Sequence, residues 1–224
     1  MGDPSSVFHG RSVLITGGTG SFGRRLTHIL LRETGASRVI VFSRDELKQS
    51  EMENLYGGDG RFRLFLGDVR DRERLYRAFD GVDVVVHAAA LKRIPGAEYN
   101  PFEFVKTNII GAENVIDAAI DRGVARVVAL STDKASSPVN LYGATKLVSD
   151  KLFVAGNAYV GAKNTRFAVV RYGNVLGSRG SVVPILRALG RGDTFPLTDG
   201  RMTRFWITLD HAARFVMQSV AEMV

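Results

Sequence analysis

Tyr142 and Lys146 stand four residues apart in the run Asn140-Leu141-Tyr142-Gly143-Ala144-Thr145-Lys146, which puts both side chains on one face of a helix. A free phenol has a pKa of about 10, too high for a base at neutral pH. A neighbouring ammonium favours phenolate and is expected to bring that value down. Tyr142 can then take a proton from a hydroxyl group. Upstream, Ser131-Thr132-Asp133-Lys134 adds a carboxyl and an amine, with Lys134 eight residues before Tyr142. Oxidising an alcohol needs no acid or base beyond the tyrosine, so adjacent titratable groups suggest further proton transfers. An elimination would use them. Lys134 is the candidate base and Asp133 the candidate acid for a leaving oxygen, with Thr132 beside both in the catalytic set. A lysine base must be partly deprotonated, which burial and cationic neighbours bring about. An Asp-Lys pair that only pins a loop would read the same way.

Positioning these groups requires a sheet. Short apolar runs alternate with helical patterns, the signal of parallel strands joined by crossover helices. Strands are predicted at Ser12–Thr16, Arg38–Ser43, Phe62–Leu66, Val82–Ala88, Arg126–Ser131 and Arg166–Tyr172. Helices are predicted near Ser21–Glu33, Glu46–Tyr56, Asp71–Phe79, Pro101–Arg122 and Leu141–Gly156. Runs such as Val84-Val85-Val86 and Val127-Val128-Ala129-Leu130 suit strands covered on both faces. The fold class expected is α/β, a doubly wound parallel sheet of the Rossmann type, over residues 1–175. After Tyr172 glycines punctuate the chain, and residues 176–224 read as the beginning of a small substrate-binding lobe. The chain stops at Val224 inside a helix begun at Leu209 or Asp210, so the natural protein is expected to continue.

The first strand runs into Thr16-Gly17-Gly18-Thr19-Gly20-Ser21-Phe22-Gly23, followed by an amphipathic run. Glycines let a pyrophosphate approach the peptide groups, and the helix after them offers free N–H donors. A strand before and a helix after make this a dinucleotide site. An NAD site offers a carboxylate at the end of the second strand; here Ser43 and Arg44 stand there, with Lys48 one turn on. Their hydroxyl and cations suit a 2′-phosphate, so the expected cofactor is NADP. Asp45 comes two residues late and can instead start the next helix, at the rim of the same site. Asp68 and Val69 are placed to reach the adenine, and Ala88 and Ala89 let the cofactor pass close to the backbone. Tyr142 then removes a hydroxyl proton while hydride leaves for NADP, and Lys146 also holds the nicotinamide ribose.

Composition narrows the classes. The 224 residues are 45% hydrophobic and contain no cysteine, which excludes disulfides and thiolate metal sites. No metal spacing links the histidines, and no metal is expected. The net charge of +7 is scattered, unlike a nucleic-acid groove. The N-terminus does not read as a signal peptide, and no stretch approaches a membrane span. A cytoplasmic enzyme is expected, with no nucleic-acid or membrane partner.

The chain resembles the inverting UDP-N-acetylglucosamine 4,6-dehydratases of the pseudaminic-acid pathway, the PseB type, among the extended short-chain dehydrogenases. The resemblance rests on the glycine loop, Ser43-Arg44-Asp45-Glu46-Leu47-Lys48, His87-Ala88-Ala89-Ala90-Leu91-Lys92, Ser131-Thr132-Asp133-Lys134, Tyr142-Gly143-Ala144-Thr145-Lys146, Arg171-Tyr172-Gly173-Asn174-Val175, Gly177-Ser178-Arg179-Gly180 and Arg201-Met202-Thr203-Arg204-Phe205-Trp206. It implies NADP, UDP-N-acetylglucosamine as substrate and inversion at carbon 5; a homo-oligomer is expected as well. It gives Asp133, Lys134 and Tyr142 the roles reasoned above. It places Lys92, Asn174, Arg179 and Thr203 on the substrate, and Thr107 and Val175 near the cofactor. Retaining relatives tend to carry Asp-Glu where this chain has Asp133-Lys134. Arg93 departs from the histidine expected after Leu91-Lys92.

Two rival readings share these residues. A 4-epimerase or reductase of the same fold would use the glycine loop and the Tyr142–Lys146 pair without needing Asp133-Lys134. A non-catalytic NADP-binding module would usually lack the tyrosine or the lysine. His87 is expected as a satisfied polar cap, Trp206 as core or lobe packing. Arg204 either binds a phosphate or pairs with Asp199 or Asp210.

Overall fold

The computed structural model describes residues 3–178 and 199–223, with Leu186 and Thr194 between them. Six parallel strands form one sheet: β1 (Ser12–Thr16), β2 (Arg38–Ser43), β3 (Phe62–Leu66), β4 (Val84–His87), β5 (Arg126–Thr132) and β6 (Arg166–Tyr172). Their order across the sheet is β3-β2-β1-β4-β5-β6. The order reverses between β1 and β4, and in such sheets the crevice outside the carboxyl ends at that point is where ligands bind.

Alternate residues of each strand enter opposite cores. On one face Val13, Ile15, Val39, Val41, Val84, Val86 and Val128 meet α1 (Ser21–Glu33) and α8 (Leu209–Glu222) through Leu26, Ile29, Leu30, Val216 and Val220. On the other, Leu14, Ile40, Val85, Val127 and Ala129 meet α3 (Arg72–Ala78), α6 (Gly111–Arg122) and α7 (Leu141–Tyr159) through Leu75, Val115, Ala119 and Phe153. Each fully buried Val, Leu or Ile contributes roughly 1.5–3 kcal/mol. Double-sided burial of this kind is what a continuous Val-rich run encodes.

Helix starts are capped as their sequences suggest. Asp45 before α2 (Glu46–Tyr56), Asp71, Asn140 and Thr208 each accept a bond from an amide three residues on. Gly123, at φ 70°, closes α6.

β5 and α7 run past their expected ends, to Thr132 and Tyr159, and three other segments differ more. The fourth strand is shorter than Val82–Ala88; just before it the Asp83 carboxylate accepts the Ser12 amide at 2.8 Å and binds Arg11 at 3.2 Å. A helix at Ile94–Tyr99 (α4) interrupts what reads as loop, with a proline in its first turn. The stretch Pro101–Arg122 is not one α-helix: α5 (Pro101–Val105) passes through a π turn at Lys106–Ile110 before α6. Single π turns of this kind recur at functional sites.

Beyond β6, β7 (Asn174–Val175) pairs in parallel with β8 (Trp206–Ile207). Among the described residues no helix is long and apolar enough to cross a membrane.

Candidate active site

The glycine loop is dictated by backbone proximity. Gly17 has φ +65°, and a Cβ there would lie 2.8 Å from the Ala89 backbone. A Cβ on Gly23 would lie 2.4 Å from Gly18, so only glycine lets α1 pack this close to β1. Ser21 opens α1 and Gly20 stands at its N-cap with no side-chain capping bond. The helix end therefore presents amides and a positive dipole towards the crevice. Phe22 turns away to stack on Tyr172 at 6.4 Å.

Beside this loop lies a cleft of about 220 Å³. Gly17 and Thr19 meet it from β1, Ser43, Arg44, Asp45 and Lys48 from β2 and α2, and Asp68, Val69, Ala89 and Thr107 from the opposite side. Ala88 lies beneath, packed on the core. Val175 is in β7. The Thr107 hydroxyl is buried without a hydrogen-bond partner, a vacancy in bonding that a polar ligand would fill. Cleft, glycine contacts and unsatisfied hydroxyl together fit a dinucleotide. A roomier hollow of about 510 Å³, by Arg32, Tyr56 and Arg61, opens at the other end of the sheet. Its Arg61 is already held by Asp59 and by the carbonyls of Leu31 and Thr34.

The cations beside the cleft have internal partners. Arg44 lies 3.4 Å from Asp68, which also takes Arg70 at 2.8 Å. Burial pushes the Asp68 carboxyl up, but the bonds from Arg70 and the charge of Arg44 outweigh it and hold the pKa down. Lys48 pairs with Asp45, which also caps α2 by accepting the Lys48 amide at 3.1 Å. The Ser43 hydroxyl bonds Thr19 Oγ1 at 2.8 Å.

Across the switch point, the ends of β5 and β7 and the first turns of α7 converge. Lys134 Nζ donates to Asp133 Oδ1 at 3.0 Å and to Asn174 Oδ1 at 3.3 Å. Thr132 Oγ1 donates to Asp133 Oδ1 at 2.9 Å and lies near enough to the Tyr142 phenol to lower its pKa. Asp133, Lys134, Tyr142 and Asn174 thus form one cluster. Burial raises the Asp133 carboxyl, but bonds from Lys134 and Thr132 prevail and hold it below its usual value.

Lys146 is 3% exposed. Burial lowers its pKa to about 8, against the opposing charge of Asp150. The expected lowering at Tyr142 is reversed: burial pushes the phenol up to about 12, Thr132 opposes this, and Asp133 and Asp150 add to it. The physical reason is that a desolvated phenol resists ionisation, and two carboxylates lie near enough to compound the cost.

Lys92 follows β4 and is exposed as a residue, although its ammonium is desolvated enough to lower its pKa. Thr203 is exposed, in the segment leading to β8, where the Asn174 amide donates to the Phe205 carbonyl at 2.8 Å. Arg179 lies outside the described residues. His87 is fully buried and bonds Thr16 Oγ1 at 2.8 Å, as a polar cap would. Trp206 is 46% exposed and so is not core packing among the described residues, because its two-residue strand lies apart from the main sheet. Arg204 takes neither expected carboxylate: Asp199 binds Arg201, Asp210 binds Arg25 and Arg214, and Arg204 donates to the Thr203 carbonyl at 2.7 Å.

Two buried residues go unread in the sequence. Asn108, in the π turn, exchanges two 2.9 Å bonds with the Leu91 backbone and donates to Thr145 Oγ1 at 3.0 Å. Only the third dimension brings these partners together. Asp150 could have been found, because it extends the Tyr142–Lys146 helix face by one more turn.

Comparison with known proteins agrees with this fold. The chain is 57% identical over 219 residues to a Campylobacter jejuni protein named UDP-N-acetylglucosamine 4,6-dehydratase (inverting), covering 97% of this chain and 65% of that protein. It therefore spans about 65% of the length of such curated relatives. Among solved structures, Pen from Bacillus thuringiensis is 40% identical with a TM-score of 0.91, over 95% of this chain and 66% of that one. DesIV from Streptomyces venezuelae, a dTDP-glucose 4,6-dehydratase with NAD and TYD bound, is 29% identical with a TM-score of 0.80, over 94% of this chain and 72% of that one. The family described as polysaccharide biosynthesis protein matches residues 13–224, and the chain belongs to that family.

Proposed function

We propose that this chain is the cofactor-binding part of a UDP-N-acetylglucosamine 4,6-dehydratase that inverts carbon 5. The observation that carries the reading is the cluster of Lys134, Asp133 and Tyr142 at the carboxyl end of β5, with Lys134 and Asp133 3.0 Å apart. The naming of the Campylobacter jejuni relative supports the same substrate. Residues 1–175 hold the cofactor and residues from 176 on begin the substrate side, with Lys92, Asn174, Arg179 and Thr203 against the sugar nucleotide.

The glycine loop would hold the dinucleotide, and Arg44 and Lys48, released from Asp68 and Asp45, would bind the 2′-phosphate of NADP. When bound, its nicotinamide supplies the hydride acceptor for carbon 4 and the hydride donor for carbon 6. Tyr142 takes the proton from the carbon 4 hydroxyl, and Lys146 stabilises the phenolate. The ketone acidifies the carbon 5 proton, which the Lys134 amine removes. Asp133, as the acid, gives a proton to the carbon 6 oxygen, which leaves as water. Both groups need protonation states opposite to those of the resting ion pair. One proton passed from Lys134 Nζ to Asp133 creates the amine and the acid together. Carbon 5 then takes a proton from water on the face opposite Lys134, which completes the inversion, and Tyr142 returns its proton to solvent.

The test is the product formed from UDP-N-acetylglucosamine by the full-length protein, read by mass spectrometry and NMR. Loss of one water, a carbon 4 ketone and an inverted carbon 5 are expected. A galacto isomer with no mass change would identify an epimerase and sink this reading.

A further inference from the structure

Asp150 is 4% exposed, eight residues beyond Tyr142 and four beyond Lys146 on α7. A carboxylate buried this deeply is costly unless paired and hydrogen-bonded. Its Oδ2 accepts from Ser131 Oγ at 2.8 Å and from Arg171 Nε at 2.7 Å. Ser131 and Arg171 are register partners on β5 and β6. Ser131 immediately precedes Thr132-Asp133-Lys134. The bonds therefore join α7 to the strand ends that carry the acid and base.

Charge points the same way. Lys146 has a desolvated ammonium, and the groups facing it are few. Tyr142 shares its helix face. His87 on β4 is held neutral, burial and then the Lys146 charge taking its pKa down to about 3. Asp133 and Lys134 beyond β5 pair with each other, and Lys106 of the π turn pairs with Glu103. The Asp150 charge alone among these is felt as raising the Lys146 pKa.

We propose that Asp150 is a positioning residue for the oxidation step, a buried negative charge that keeps Lys146 an ammonium beside Tyr142. Arg171 tempers that charge. The inference rests on the reading of Tyr142 and Lys146 given above.

The experiment uses the full-length protein, UDP-N-acetylglucosamine and the pH dependence of reduced-cofactor formation in a single turnover. Asp150→Asn and Arg171→Gln break the same ion pair, so a purely structural role moves both profiles alike. The charge role moves them in opposite directions. Without Asp150 the alkaline limb falls by about one pH unit, the size of one nearby opposite charge. Without Arg171 the unshielded carboxylate raises that limb. Should Asp150→Asn fail to fold, Arg171→Gln decides alone: a limb that stays or falls overturns the proposal. Tyr142→Phe separates the two levels. Undiminished reduction in that variant overturns the underlying reading and this inference together. Abolished reduction, with unmoved limbs in the other variants, overturns the inference alone.

Discussion

Lys134 holds its Nζ 3.0 Å from Oδ1 of Asp133, so the candidate base and the candidate acid are each other's counter-ion. In the mechanism proposed above, one proton passed within this pair readies both members. Lys134→Ala removes that route. It is expected to abolish water loss and exchange of the carbon 5 proton with deuterated solvent, while cofactor reduction continues. NMR of substrate recovered from deuterium oxide reads the exchange, and normal exchange in the variant would exclude Lys134 as the base.

Tyr142 carries a phenol that burial holds at about 12. In the cofactor-free protein its tyrosinate absorbance should therefore emerge only in strong alkali. Oxidised cofactor, which brings positive charge beside it, should shift that titration down. The wild-type minus Tyr142→Phe difference spectrum isolates the signal. Tyr142→Phe should slow cofactor reduction by roughly a hundredfold or more, the usual worth of a general base.

Lys146 has a folded pKa of about 8 against an ordinary value of 10.5. Below about 8 it is charged in both the folded and unfolded states, and the buried charge costs stability. Between the two values the unfolded chain binds the extra proton, so stability rises with pH, and above 10.5 the cost is gone. Lys146→Met should therefore stabilise the fold at neutral pH by on the order of 2–3 kcal/mol, while stopping catalysis. Denaturation midpoints across pH check this. A gain that grows with alkalinity contradicts it.

Arg44 meets Asp68 at 3.4 Å and stands beside the cleft. Arg44→Ala should weaken NADP about tenfold more than NAD, the lower end for a hydrogen bond to a charged group. Calorimetric titration with both cofactors measures the difference. Equal losses would remove the 2′-phosphate from the site.

Much of this protein is legible in its sequence, for identifiable reasons. Strands such as Arg38–Ser43 and Arg166–Tyr172 end where predicted because apolar runs and their flanking residues mark both bounds. Local spacing also exposes the glycine loop and the Tyr142–Lys146 face. The π turn escapes, and with it the Asn108 side chain, whose partner on the Leu91 backbone is distant in sequence. The Tyr142 pKa escapes as well, since spacing shows the nearby ammonium but not the depth of burial. Arg44 reads as a free cation because its partner Asp68 is distant in sequence, whereas Asp45 and Lys48, three residues apart, could have been paired from spacing alone.

Because one amide, that of Asn108, grips both Leu91 and Thr145, the loop bearing Lys92 cannot drift without dragging the first turn of α7. Thr145 in turn holds the Tyr142 carbonyl at 2.8 Å. On the function proposed above, the loop that would meet the sugar and the phenol that would take its proton are thus geared together, so a substitution that reshapes one is expected to move the other.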